Sequence, residues 1–335
     1  MTTCAPPRYG SKIAEPLKIV FMGTPVLAAH ILERLVTAAG ANFRVVGVVT
    51  RPDQPRGRGL GTEPSEVGAL AASCAIPTLK PVKIRTLEFL SELKAFEPDL
   101  LVVAAYGRIL PNSILDLPRI APINVHASLL PRHRGAAPIE GAILAGDAET
   151  GVTIMRIVER MDAGPMYFQR KIPIEANDTQ GTLKEKLAEL GASAMLEAIE
   201  LAARGALVET PQDEALATYT AQIEKKDAVI DWTASAAQIE RMTRAYDPWP
   251  VARTRILGDE VLIWRAAVED ESQWGGPSRQ PSAPGTIVSV KPNPVVQCGV
   301  GQLRLVEVQA PGRKRISAAD FMRGKRVEAG VRLGE

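Results

Sequence analysis

Short apolar runs and helix-spaced apolar residues alternate along the first two hundred positions. Leu17–Met22 (LKIVFM) reads as a buried strand that stops at Gly23-Thr24-Pro25. Leu27, Ile31, Leu32 and Leu35 then recur at helical spacing. Val45–Thr50 (VVGVVT) and Asp99–Ala105 (DLLVVAA) predict further strands. Ile120–Val125 and Val152–Val158 continue the series, with a helix near Pro138–Ala145 between them. Continuously apolar strands alternating with helices predict an α/β fold whose parallel sheet is covered on both faces. A long helix is predicted over Leu183–Arg204, opened by a capping box at Thr182-Leu-Lys-Glu185.

The pattern then changes. Residues 209–224 read as a polar linker, and Ser235-Ala-Ala-Gln238 caps a short helix that ends before Tyr246-Asp-Pro-Trp-Pro250. Beyond it, Arg253–Leu257, Glu260–Ala266, Thr286–Val290, Val295–Cys298 and Leu303–Val308 are strand-like runs separated by Gly, Pro and Asn. They predict a small barrel or sandwich. Glu269–Pro284, rich in Gly, Ser and Pro, reads as a mobile loop. The expected division is a loose tail over 1–16, a first domain over 17–208, the linker 209–224 and a second domain over 225–335.

Composition narrows the classes. A chain of 335 residues suits about two domains. Its longest apolar run, Leu100–Tyr106, falls far short of the ~20 residues that cross a bilayer. The N-terminus lacks the apolar stretch of a secretory signal. Cys4, Cys74 and Cys298 are scattered and odd in number, which argues against a disulfide framework or a CxxC metal cage and suits a reducing cytoplasm. The net charge of +2 conceals a gradient. Residues 1–134 carry 16 basic against 10 acidic residues, 135–250 carry 11 against 19, and 251–335 carry 13 against 9. Two basic ends around an acidic middle fit either a polyanion-binding surface or a solvated face with a fraying basic tail.

Common nucleotide and hydrolase signatures are absent. There is no GxxxxGK[ST], no HExxH and no GxSxG, and Gly57-Arg-Gly59-Leu-Gly61 lacks the dinucleotide offset. The stretch from Ile123 to Pro165 remains. Asn124 and His126 end a predicted strand and alternate onto one side of it, where a parallel sheet presents its ligand crevice. A long loop follows with Arg132 and Arg134, and Asp162 lies on a later turn within reach of the same crevice. An amide, an imidazole and a carboxylate suit acyl transfer to an amine. Asn124 and a protonated His126 would donate to the developing oxyanion, worth ~3–4 kcal/mol per donor. Asp162 would supply the opposite charge and carry protons. The amine is itself the nucleophile, so no Ser or Cys is needed. Local capping by Asn124 and His126 and a plain turn at Asp162 explain the same residues, and spacing alone leaves both readings open.

The run Asn124-Val-His126-Ala-Ser128-Leu-Leu-Pro131-Arg-His-Arg134-Gly-Ala-Ala-Pro138, followed by Met161-Asp162-Ala-Gly-Pro165, resembles the signature of the 10-formyltetrahydrofolate-dependent formyltransferases. The resemblance extends over Phe21–Pro25 (FMGTP), Thr50–Gly59 (TRPDQPRGRG), Ala105–Pro111 (AYGRILP) and Gly146–Met155 (GDAETGVTIM). It reaches Ile230-Asp-Trp232 and Asp247-Pro-Trp-Pro250. It is greatest with members whose acceptor is methionine carried on initiator tRNA.

The resemblance implies a Rossmann-like catalytic domain with a mostly parallel sheet and a C-terminal OB-like β-barrel that holds tRNA. It implies Asn124, His126 and Asp162 as the catalytic constellation, and Ser128, Leu129, Leu130 and Pro131 along the 10-formyltetrahydrofolate site. The loop Arg51–Gly61 would meet the tRNA acceptor stem through Arg51, Arg56 and above all Arg58. The expected protein is cytoplasmic and monomeric, and uses neither metal, membrane nor obligate protein partner. Two positions depart from the family pattern: Leu60-Gly61-Thr62-Glu63 stands where lysines are common, and Glu140 stands where glutamine is common. Tyr106 reads as core or crevice. Trp232, Trp249 and Trp264 read as packing residues, and the cysteines as inert.

Overall fold

A computed structural model describes residues 15–55, 61–269 and 282–334. In chain order it contains β1 (Leu17–Gly23), α1 (Val26–Ala38), β2 (Phe43–Val49), β3 (Gln54–Pro55), β4 (Thr62–Glu63), α2 (Glu66–Ser73), β5 (Thr78–Leu79), α3 (Leu87–Lys94), β6 (Leu100–Ala104), α4 (Asn112–Leu115), β7 (Ala121–His126) and β8 (Arg134–Gly135). There follow α5 (Pro138–Ala145), β9 (Glu149–Arg156), β10 (Met166–Pro173), α6 (Gln180–Ala203), β11 (Tyr219–Thr220) and α7 (Ala236–Ala245). The chain closes with β12 (Arg253–Ile256), β13 (Asp259–Val268), β14 (Ile287–Ser289), β15 (Val295–Gln297), β16 (Gln302–Gln309), β17 (Ile316–Ser317) and α8 (Ala318–Lys325). The predicted tail lies outside the described residues except for Glu15 and Pro16, and so does most of the loop predicted mobile, residues 270–281.

The chain divides into two compact units. One takes the described residues up to 135 with 150–172 and 184–219, and the other takes 136–149, 173–183 and 220 onward. The first unit is built on a seven-stranded sheet of order β10-β9-β7-β6-β1-β2-β5. Strand β1 pairs in parallel with β2 and β6, and β6 pairs in parallel with β7. Strand β6 reads as an unbroken apolar run because both of its faces are buried: every residue is inaccessible or nearly so. Helix α1 buries Ile31, Leu32 and Leu35, as the helical spacing predicts, together with Ala28, whereas Leu27 is only half-buried. Helices α3 and α4 enclose Val20, Met22, Leu101 and Val103 between Phe89, Leu93, Ile114 and Leu115. On α6, Gly191 brings the helix close to β7, since a Cβ there would lie 3.1 Å from Val125 Cγ2.

Two expectations are corrected. Strand β9 runs antiparallel to β7, with Ile123 opposite Arg156 and His126 opposite Thr153. An apolar run reports burial on both faces and carries no direction, so the parallel series could not be read past β7. The capping box of the long helix is one turn early: Thr179 and Thr182 exchange side-chain-to-backbone bonds of 3.0 and 3.3 Å, and the helix begins at Gln180.

The second unit carries an antiparallel sheet of order β12-β13-β16-β15-β14 with β17 added to β16, the curled half-barrel of an OB-like domain. All five predicted strands are present. Its core gathers Trp232, Val261, Ile263, Leu303 and Leu305, closed by Phe321 and Met322 of α8. The basic C-terminal stretch therefore does not fray: Ser317 caps α8 by accepting from Asp320 N–H, and the apolar side of that helix is buried.

Candidate active site

Strand β7 ends with Asn124 half-buried and His126 buried, two residues apart and so on one side of the strand. The His126 ring is fixed through one nitrogen and faces a carboxylate with the other. Its Nε2 lies 2.9 Å from the His133 carbonyl. A carbonyl only accepts, so Nε2 carries the hydrogen. Its Nδ1 faces Asp162 Oδ2 at 3.7 Å, within ion-pair range and beyond a hydrogen bond. With Nε2–H already spent, Nδ1 is the nitrogen left for chemistry. The Asn124 carboxamide has no hydrogen-bond partner among the described residues.

Asp162 reaches this pair by an indirect route. Because β9 is antiparallel, its last residue Arg156 lies opposite Ile123, three positions before His126, or ~10 Å along the strand. Residues 157–165 double back over that distance, and Asp162 turns in the left-handed region at φ +50°. Gly164 makes the return possible, since a Cβ there would lie 1.9 Å from the Arg156 carbonyl oxygen. The carboxylate is held by the Gly135 N–H, which donates to Oδ2 at 2.8 Å. Thus the structure brings His126 and Asp162 together, with Asn124 on the same side of β7.

The loop after β7 is pinned. Ser128 is buried, its hydroxyl donating to the Arg132 carbonyl at 2.7 Å, while Thr153 donates to the Ser128 carbonyl and accepts from Leu130 N–H. Leu130 is buried, whereas Leu129 and Pro131 are half-buried. Arg51 is half-buried with Nη1 3.4 Å from the Pro52 carbonyl, at the foot of the β3–β4 hairpin. Arg56 and Arg58 lie outside the described residues. Glu140 occupies the first turn of α5, where negative charge suits the helix N-terminus.

Tyr106 is core, packed against Ile114 and Leu110. Among the described residues its buried hydroxyl has no partner, nor has Thr24 Oγ1, and these residues lie just past the ends of the adjacent strands β6 and β1. Burial pushes the Tyr106 phenol above its ordinary value. Trp232 packs in the second core as expected, and Trp264 is half-buried beneath the Arg315 guanidinium. Trp249 departs from the expectation and is 52% exposed. No group of three or more His, Cys, Asp or Glu among the described residues is arranged to hold a metal ion.

Residues that sequence reasoning passed over complete the geometry. Arg134, read as part of a basic loop, is fully buried. Its guanidinium donates to Gln212 Oε1 (3.1 and 2.8 Å), both oxygens of Glu214 (3.1 and 2.8 Å) and the Tyr219 hydroxyl (3.0 Å). Gln212 in turn donates to the carbonyls of Asp162 (2.8 Å) and Gly164 (2.7 Å). The hydrogen bond from Arg134 holds the Glu214 carboxyl below its ordinary value.

The formyl transferase family model matches residues 17–199, and the model of the formyl transferase C-terminal domain matches 222–326. A Methionyl-tRNA formyltransferase from Roseiflexus sp. is 45% identical over 320 residues, covering 96% of this chain and 96% of that protein. One from Pseudomonas syringae pv. tomato is 46% identical over 315 residues, covering 94% and 96%. Among solved structures, the sugar 3N-formyl transferase WlaRD shares the fold at 18% identity with a TM-score of 0.62, covering 90% of this chain and all of that one. HypX from Aquifex aeolicus, solved with Tetrahydrofolic acid, shares it at 19% identity and 0.58, covering 92% and 47%. The chain, matched along both of its parts, belongs to the formyl transferase family.

Proposed function

We propose that the protein transfers the formyl group of 10-formyltetrahydrofolate to the α-amino group of methionine on initiator tRNA, acting as a monomer in the cytoplasm. The acceptor rests on full-length similarity to proteins named for methionyl-tRNA formylation. The chemistry rests on one observation, the pairing of buried His126 with half-buried Asp162 beside the Asn124 carboxamide.

The residues suit a formyl donor. The unpartnered Asn124 amide, in the last pleat of β7, and the orphaned oxygens of Thr24 and Tyr106, just past β1 and β6, lie near the carboxyl ends of three neighbouring strands, the arrangement of a polar ligand site. When bound, the folate supplies an activated formyl group on nitrogen. An α-amino group with pKa ~8 is partly neutral at physiological pH and is its own nucleophile. As it attacks, Asn124 Nδ2–H and, in the imidazolium form, His126 Nδ1–H donate to the formyl oxygen where negative charge grows. The His133 carbonyl keeps the imidazole from rotating. Asp162 faces that imidazolium with the opposite charge and accepts the proton released by the amine for relay toward the leaving nitrogen. Ser128–Pro131 flank the folate, while Arg51, Arg56 and Arg58 meet the acceptor end of the tRNA, where the glycine-flanked Arg58 above all suits phosphate contact.

The test is formylation of methionyl initiator tRNA with 10-formyltetrahydrofolate by the native protein and by His126→Ala. Transfer by the native protein and a loss of about two orders of magnitude or more in the variant support the reading. Transfer to an amino sugar nucleotide and none to tRNA would sink the acceptor and leave the chemistry standing.

A further inference from the structure

We infer that the segment 212–219 is a clasp that positions the reacting groups through Arg134, and that Gln212 and Arg134 are positioning residues for formyl transfer. The inference rests on the proposed roles of His126 and Asp162. The two main-chain groups that touch those residues flank Arg134: the His133 carbonyl accepts from His126 Nε2, and the Gly135 N–H donates to Asp162 Oδ2. Whatever fixes residue 134 therefore fixes both reacting side chains.

Three observations show how tightly it is fixed. First, all five guanidinium donors of Arg134 are used, on Gln212, Glu214 and Tyr219, with the side chain fully buried. Second, main-chain bonds repeat the attachment. The Arg134 N–H donates to the Thr218 carbonyl (2.8 Å), the Thr218 N–H to the Pro131 carbonyl (3.2 Å), and the His133 N–H to Thr218 Oγ1 (2.8 Å). Third, the Gln212 carboxamide joins the two halves of the site: its oxygen receives Arg134, and its N–H groups hold the carbonyls of Asp162 and Gly164. That pattern also fixes which end of the amide is which.

Such fastening is needed here. His133 (φ +56°) and Asp162 (φ +50°) both occupy the left-handed region that side-chain-bearing residues avoid. Strained residues persist only where their surroundings over-determine them. The Asp162 carboxylate and the His126 imidazole stand 3.7 Å apart, so a small shift of either peptide alters what faces the reacting carbon. Displacement of ~1 Å by a remote change can cost ~100-fold in rate.

The experiment compares the native full chain with His126→Ala, Gln212→Leu and Gln212→Glu. The last keeps an oxygen for Arg134 but has no donor for the Asp162 turn. Steady-state formylation of methionyl-tRNA is measured with each substrate varied, beside histidine-selective 15N spectra that report the His126 tautomer. Cooperative melting identifies the folded variants, and Tyr219→Phe stands in if Gln212→Leu does not fold. The expected result is a fall in kcat of about ten- to hundredfold, KM for both substrates within about threefold, and loss of the single Nε2–H tautomer. A folded Gln212 variant with native kcat, with a defect in KM for tRNA alone, or with an unchanged His126 signature overturns the clasp. If His126→Ala stays active, the assignment of the reacting residues fails instead. If His126→Ala is dead while the Gln212 variants are native, the clasp alone falls.

Discussion

Gly164 is the residue at which a single methyl group should disconnect the carboxylate from the imidazole. A Cβ built there lies 1.9 Å from the Arg156 carbonyl oxygen and 3.0 Å from its carbon. An ordinary C···O contact needs about 3.3 Å, so the turn or strand β9 must yield by ~1.4 Å. Arg156 is held in the sheet opposite Ile123, which leaves the turn to move. Asp162 lies two residues away on that turn, its carboxylate held by a bond of 2.8 Å from Gly135 N–H and its carbonyl by one of 2.8 Å from Gln212. A shift of ~1 Å there stretches the carboxylate's bond past the usable range and carries the carboxylate away from Nδ1. Gly164→Ala is thus expected to lower kcat by ~100-fold and to cost ~1–3 kcal/mol of unfolding free energy, the usual penalty of overpacking. Single-turnover formylation and urea titration measure the two effects. Native kcat in the variant, within about twofold, would refute the claim that the placement of Asp162 limits the reaction.

Other outcomes follow from features already described. Thr254→Val removes the acceptor of the buried Trp232 Nε1–H, 3.0 Å away, and should cost ~1–3 kcal/mol in a denaturant titration. Tyr106→Phe deletes a buried hydroxyl without a protein partner and should leave the unliganded protein as stable as before or more so, read by the same titration. Burial pushes the Cys298 thiol up to about 12, so alkylation of the native protein at pH ~8 should label exposed Cys74 and spare Cys298 until the chain is unfolded. The Arg134 hydrogen bond lowers the Glu214 carboxyl below its ordinary 4.5. A depressed carboxylate stabilises above its unfolded pKa and ceases to as pH falls through the folded value. The stability difference between the native protein and Glu214→Gln should therefore be full above pH ~5 and close on further acidification.

Strands β1, β2, β6 and β7 were legible because burial on both faces makes them largely apolar, and α1 because one buried stripe repeats every helical turn. Strand β10 was not: it is half-exposed and contains Arg170 and Lys171, so neither an unbroken run nor clean alternation marks it. Helix α8 was hidden by its charges, although Phe321 and Met322 anchor it. At the site, the Asn124–His126 spacing revealed a shared side, and the Asp162 turn could be named but its path could not, because strand direction leaves no trace in residue type. The partners of Arg134 were invisible for a different reason. Gln212, Glu214 and Tyr219 sit in a polar stretch that reads as a connector, and only the tertiary structure shows what it connects.

The order in which these groups occur along the chain has a consequence for its synthesis. Asn124, His126, Arg134 and Asp162 leave the ribosome well before Gln212, Glu214, Thr218 and Tyr219. The sheet and its apolar core can close from residues already made, since domains fold in units as they emerge. The five donors of Arg134 have no acceptors until about fifty more residues past Asp162 have been added. A nascent chain halted near residue 208 would then bury most of its first core while leaving a guanidinium unsatisfied beside an unformed site. On the clasp inferred above, competence for catalysis arrives with a short polar stretch translated after the sheet, so the fold and the reaction mature at different moments of elongation.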